Sequence, residues 1–202
     1  VEEIASLVRY APGGKANRTV AFISPHAGAG TTTCAANLAK YLADVVGAKV
    51  LLVDANLRHP SVHELAGVEQ QTGLTELLTD SLPLSKATKP TTQPRLQVLT
   101  SGVVVDNAYR LLVPEALQEK LLDAASDYDF IILDCAPVNP YFESLGVAAL
   151  CDGVLLVIEG EKTRRQPAEM AKSRLEQTNS KLLGVVMNKR KFYIPNSIYQ
   201  RL

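Results

Sequence analysis

Short apolar runs rich in Val, Ile and Leu alternate along the chain with longer stretches of helical spacing. Thr19–Ser24, Lys49–Asp54, Leu96–Ser101, Phe130–Asp134, Gly153–Ile158 and Leu182–Asn188 read as strands. Most of them are apolar at nearly every position rather than at alternate ones. A strand of that kind is buried on both faces, as in a parallel sheet covered by helices. The spacing predicts helices over about Thr32–Val46, Val62–Ala66, Leu74–Leu78, Val113–Ala125 and Pro167–Gln177. Strands and helices in alternation predict an α/β chain, with a doubly wound, mostly parallel sheet and helices on both faces. Ser81–Arg95, with Pro83, Pro90 and Pro94 among Thr and Lys, reads as an exposed loop. One domain is expected over 1–202, with 1–17 an N-terminal appendage and 189–202 a C-terminal tail.

Composition narrows the class further. A chain of 202 residues, 47% hydrophobic and 21% charged, can fill one ordinary hydrophobic core. Its formal net charge is zero, which removes any global electrostatic case for nucleic acid or an anionic membrane. The longest apolar stretch, Leu145–Ile158, is broken by Asp152 and is too short to cross a bilayer. No signal-peptide pattern is present. The chain begins with Val1 rather than Met, which leaves open that it is a piece of a longer protein and that membrane segments lie elsewhere in it. Cys34, Cys135 and Cys151 are odd in number and lack CxxC spacing; they read as small buried hydrophobes in a reducing cytoplasm. His26, His59 and His63 show no ligand spacing with them and read as loop or surface residues.

Candidate chemistry gathers at the carboxyl ends of three strands, where a doubly wound sheet holds its ligands. The first strand runs into "SPHAGAGTTT", residues 24–33. Gly28 and Gly30, on either side of Ala29 in the candidate nucleotide loop, let the backbone approach a phosphate, and the next helix offers unpaired N–H groups and a positive dipole end. Thr31 closes the loop, Thr32 and Thr33 open that helix, and Thr32 stands where a Mg²⁺-binding hydroxyl belongs. The second strand ends in Asp54 and the fourth in Asp134, hard carboxylates suited to Mg²⁺ and to catalysis. Each feature alone has an ordinary reading, as a turn, a cap or a loop former. Together and in this order they describe a P-loop NTPase.

On these residues the chain resembles the bacterial tyrosine autokinases of capsule and exopolysaccharide production, relatives of the MinD/ParA ATPases. The resemblance runs from about Asn17 to Leu202. Ser24, Gly28, Gly30, Thr32, Thr33, Ala36, Asn37, Leu38 and Ala39 match the family loop "SxxPGxGKST…ANLA" without a gap. "LLVDANLRHP" matches the family's DxDxRxP motif in part, and "IILDCAP" its D-[ST]-P-P motif in part. "GLTELL" and "GVVMNKRKFYIP" are similar to further family segments. The resemblance implies ATP or ADP with Mg²⁺, Asn188 against the base, and tail tyrosines as phosphate acceptors, here Tyr193 and Tyr199. It also implies a membrane polysaccharide co-polymerase as partner at the inner face of the inner membrane, and a homo-oligomer or a partner kinase.

Departures from the pattern cluster in the same motifs. Thr31 stands where the family has the loop lysine, so one hydroxyl replaces an ammonium that would neutralise phosphate charge. Ala27 replaces the loop proline. Asn56 replaces the second Asp of DxD, and an amide is no useful base at neutral pH. Cys135 and Ala136 follow Asp134 in place of the usual residues. "EEIASLVR" keeps at most one arginine of the family's ring-forming helix. Arg58, Lys15, Arg18 and His26 are the nearby groups weighed as replacement cations, and none is convincing from sequence. The expected function is therefore a degenerate autokinase-like partner protein. An active tyrosine autokinase is the alternative, a MinD/ParA-type positioning ATPase a third. A dehydrogenase is disfavoured because Gly28-Ala29-Gly30 lacks a third glycine at dinucleotide-binding spacing.

Overall fold

The computed structural model describes residues 1–9, 18–80, 82–104 and 106–190. Its strands are β1 (Arg18–Ile23), β2 (Val50–Ala55), β3 (Lys89–Pro90), β4 (Leu96–Leu99), β5 (Phe130–Cys135), β6 (Gly153–Glu159) and β7 (Leu182–Asn188). They form one sheet in the order β3-β4-β2-β5-β1-β6-β7. Every pairing is parallel except β3 with β4. β1 lies between β5 and β6, so the loop that leaves it opens at the point where the winding reverses. The expected doubly wound, mostly parallel sheet is what is found.

Near-continuous hydrophobicity has its predicted cause. β2 and β5 are buried at all six positions, because helices cover both faces. The alternation of a strand then divides the core in two. Ala21, Ile23, Leu51, Val53, Ile131 and Leu133 enter one layer with α4 (Leu74–Thr79), α7 (Glu143–Leu150) and α8 (Arg165–Gln177). Val20, Phe22, Val50, Leu52 and Ile132 enter the other, against α1 (Glu2–Arg9), α2 (Thr31–Asp44) and α3 (Val62–Ala66). α2 presents Ala35, Leu38, Ala39 and Leu42 at helical spacing to that second layer.

Several elements differ from expectation. Ser81–Arg95 is not all loop: it holds α5 (Leu84–Ala87) and β3. Leu84 and Ala87 turn inward, and the Lys89 ammonium donates to Thr72 O at 2.7 Å and to Glu69 O. These long-range contacts order a segment whose own composition favours a loop. α7 was not anticipated, because its apolar residues run on into β6 with only Cys151 and Asp152 between. Asp152 makes that break: its carboxylate accepts from Thr19 N at 2.8 Å and Thr19 Oγ1 at 2.9 Å. The helix expected over Val113–Ala125 is α6 (Pro114–Leu117) continuing into a wider π-turn over Gln118–Asp123. The N-terminal segment begins with α1, which docks on the sheet through buried Ala5 and Val8.

Candidate functional site

The turn between β1 and α2 is shaped by two glycines in left-handed conformation, Gly28 at φ 82° and Gly30 at φ 87°. At Gly30 a Cβ would lie 2.1 Å from Asn188 Nδ2, so only glycine fits there. That amide donates to Ala29 O at 2.9 Å and ties the end of β7 to the loop. Ser24 Oγ donates to His26 O at 2.9 Å, and His26 Nε2 lies 2.7 Å from Thr163 Oγ1. The loop is thus anchored from both β6–α8 and β7. No side chain caps α2, which leaves its first N–H groups open toward the cleft.

A cleft of about 430 Å³ opens over this turn. Gly28, Gly30, Thr31, Thr32, Thr33 and Asp134 all line it, so most of the sequence-predicted residues come together. Ala29 is wholly buried, and Asn188 reaches the loop from behind without lining the cleft. Asp54 and Asp134 face each other in register on β2 and β5, but only Asp134 lines the cleft. Tyr193 and Tyr199 lie outside the described residues, as does Lys15. A larger cleft of about 640 Å³ sits by Lys49, Arg95 and Tyr128, at the opposite strand ends. It has neither the glycine turn nor an acidic strand end, so it is not the candidate.

The two carboxylates differ in their surroundings. Asp54 Oδ2 accepts from Ser61 N and Val62 N, both at 2.9 Å, and Oδ1 accepts from Asn56 N at 3.2 Å. Burial nevertheless pushes its pKa up to about 6, with those backbone bonds holding it down. Asp54 therefore organises the start of α3. Asp134 is buried, and neither carboxylate oxygen has a hydrogen-bond partner of proper geometry. Its pKa stands well above the ordinary value, through burial first and then the Asp54 charge; the nearby Thr32 hydroxyl pulls it back slightly. An orphaned buried carboxylate beside a hydroxyl and open helix N–H groups fits a phosphate-bound Mg²⁺, with Asp134 and Thr32 as its holders. Among the described residues no cluster of three or more His, Cys, Asp or Glu side chains could hold a metal without such help.

The departures have local roles. Asn56 and His59 close a turn on each other, Asn56 Nδ2 donating to His59 O at 3.0 Å and His59 N to Asn56 Oδ1 at 3.3 Å. Arg58 is held between the rings of Tyr109 and Tyr141, 3.7 and 4.1 Å from their centroids, and pairs with Glu143. It is committed to joining three loops. Cys135 is buried in the cleft wall, and burial pushes its thiol pKa well up. The residue the sequence reading passed over is Lys189. Its Nζ donates to Gly28 O at 2.7 Å and lies 3.5 Å from Glu159 Oε1, in the wall of the cleft.

Sheet order, glycine turn and acidic strand ends define a P-loop ATPase fold. The profile described as AAA domain matches residues 17–182. Tyrosine-protein kinase YwqD of Bacillus subtilis (strain 168) is 35% identical over 188 residues, 93% of this chain and 79% of its own. The succinoglycan biosynthesis transport protein ExoP of Rhizobium meliloti (strain 1021) is 29% identical over 87% of this chain, which spans 23% of its length. The VpsO kinase domain superposes at TM-score 0.84 with 30% identity, covering 94% of this chain and 92% of that one. The cell division ATPase MinD of Pyrococcus furiosus gives 0.73 at 25% identity, covering 92% of this chain and 79% of that one. The chain belongs to the tyrosine-kinase-like family of bacterial capsule and exopolysaccharide biosynthesis, within the MinD/ParA-type P-loop proteins.

Proposed function

We propose that this chain is a degenerate member of the family, one that holds nucleotide weakly and does not transfer its phosphate. It acts as a regulatory or scaffolding partner of a membrane polysaccharide co-polymerase at the inner face of the inner membrane. The observation that carries the reading is Thr31. The loop and helix keep the shape of a phosphate site, yet the residue that should bring a positive charge brings a hydroxyl. Mg²⁺–nucleotide, when bound, would supply charge neutralisation between Asp134, Thr32 and the phosphates. This chain's part is to fix the loop with Gly28, Gly30 and Asn188. Asp54 is occupied by three backbone N–H groups, and Asn56 cannot serve as a base. Nothing then remains in the second acidic motif to take a tyrosine proton.

Incubation with γ-labelled ATP and Mg²⁺, read by intact mass and phosphotyrosine mapping, tests this. The expected result is no incorporation at Tyr193, Tyr199 or elsewhere. Stoichiometric phosphate on the tail would replace the reading with the second one, an active tyrosine autokinase. The orphaned Asp134 carboxylate beside Thr32 is the specific observation in that alternative's favour.

A further inference from the structure

We propose that Lys189 is the cation of this cleft. Its ammonium, carried in from the end of β7, stands in for the lysine that the loop lacks and binds the phosphates of a nucleoside di- or triphosphate. The proposal rests on the reading of the cleft as a nucleotide site and deepens it. The position is built into the fold. Asn188 Nδ2 is pinned to Ala29 O, and the next residue, Lys189, is pinned to Gly28 O, so consecutive strand-end residues bind consecutive loop carbonyls. Lys189 itself adopts a left-handed φ of 54°, uncommon for a side-chain-bearing residue, and the chain turns there beside the loop.

Among the described residues, two other basic groups near the cleft are committed. Arg58 is stacked between two tyrosines and paired with Glu143. His26 bonds Ala27 O and Thr163. Lys189 has donor capacity left: an ammonium carries three N–H groups, and Gly28 O and Glu159 account for two. An independent feature of the same cleft points to a ligand. Asp134 is fully buried with both oxygens unpartnered, a state that a bound Mg²⁺–phosphate relieves. Uncapped N–H groups of α2, a 14-residue helix, favour an anion such as phosphate. Substitution at the loop and a lysine at the strand end are thus two halves of one arrangement. In this chain the charge at the cleft comes from a strand end and not from the helix. Binding survives this placement, while the close following of a transferred phosphate does not.

Binding of Mg²⁺–ADP to the full chain tests this, with Lys189→Gln, Lys189→Arg, Thr31→Lys and the Thr31→Lys/Lys189→Gln pair. Gln removes the charge while keeping an N–H donor on a side chain one methylene shorter, and unchanged melting confirms intact folding. Lys189→Gln is expected to weaken binding about tenfold or more, the scale of one charged hydrogen bond. Lys189→Arg should retain affinity, and Thr31→Lys should restore it in the Gln background. Added salt should weaken the native chain more steeply than Lys189→Gln, a difference that a merely structural role would not produce. Equal affinity and equal salt dependence for native and Lys189→Gln overturn the proposal and leave the nucleotide site standing. Binding by Thr31→Lys alone, with none by the native chain, overturns it in the same way. Absence of binding in both chains removes the nucleotide reading and the proposal together.

Discussion

Asp54 and Asp134 occupy register-paired positions on adjacent strands, both buried, and both with pKa values above the ordinary carboxylate range. The sign of the linkage follows. An acid whose folded pKa is raised is held more favourably as the neutral form, so its stabilising effect is complete below the unfolded value near 4. It is lost as pH climbs through the folded value, about 6 for Asp54. Ionising Asp54 therefore costs on the order of 2–3 kcal/mol. Asp134→Asn removes the charge without changing the shape. The variant should melt about 2–8 °C higher than the native chain at pH 8 without Mg²⁺, with almost no difference at pH 4. Thermal melts across that range check it; a gain that shrinks with rising pH would contradict the assignment. Gly30→Ala is the opposite case. Its Cβ meets Asn188 Nδ2 at 2.1 Å in a left-handed backbone, so a loss of roughly 1–3 kcal/mol is expected in denaturant titration.

Elements differ in how far each is held by local or by distant contacts. α1 has only eight residues and no length to be stable alone, so its order depends on burying Ala5 and Val8 against α2, β1 and β7. Val8→Asp should release it. Hydrogen exchange is expected to show lost protection over Glu2–Arg9, with the strands β1, β2 and β5 still protected. The same contrast explains what could be read from the sequence. Strands buried on both faces and the long helix α2 declare themselves in runs of Val, Ile, Leu and in helical spacing. So did the glycine turn and the two acidic strand ends, which need only residue type and order. α5 and β3 have four and two residues, too few for any period, and exist through the contacts of Lys89. α7 was hidden because an all-round apolar helix leads directly into an apolar strand. Lys189 was not among the replacement cations considered from sequence; its place over Gly28 spans 161 positions of sequence and no local pattern announces it.

At the scale of the molecule, the sheet reverses at β1 and sets a phosphate-shaped loop between β6–α8 and the end of β7. The acidic ends of β2 and β5 lie beside it. The geometry is that of a phosphate-binding loop, and Thr31 brings a hydroxyl where the resemblance leads one to expect the loop lysine. Shape and charge can be separated by one substitution, because Thr31 lies in the first turn of α2 and lines the cleft. The direct measurement is a calorimetric titration of Mg²⁺–ATP into the native chain and into Thr31→Lys under identical salt. Weak binding by the native chain and binding about tenfold tighter or better by the lysine variant are expected, as one restored charge contact provides. Equal and tight binding by both would contradict the reading that this chain, with Thr31 in its loop, holds nucleotide weakly.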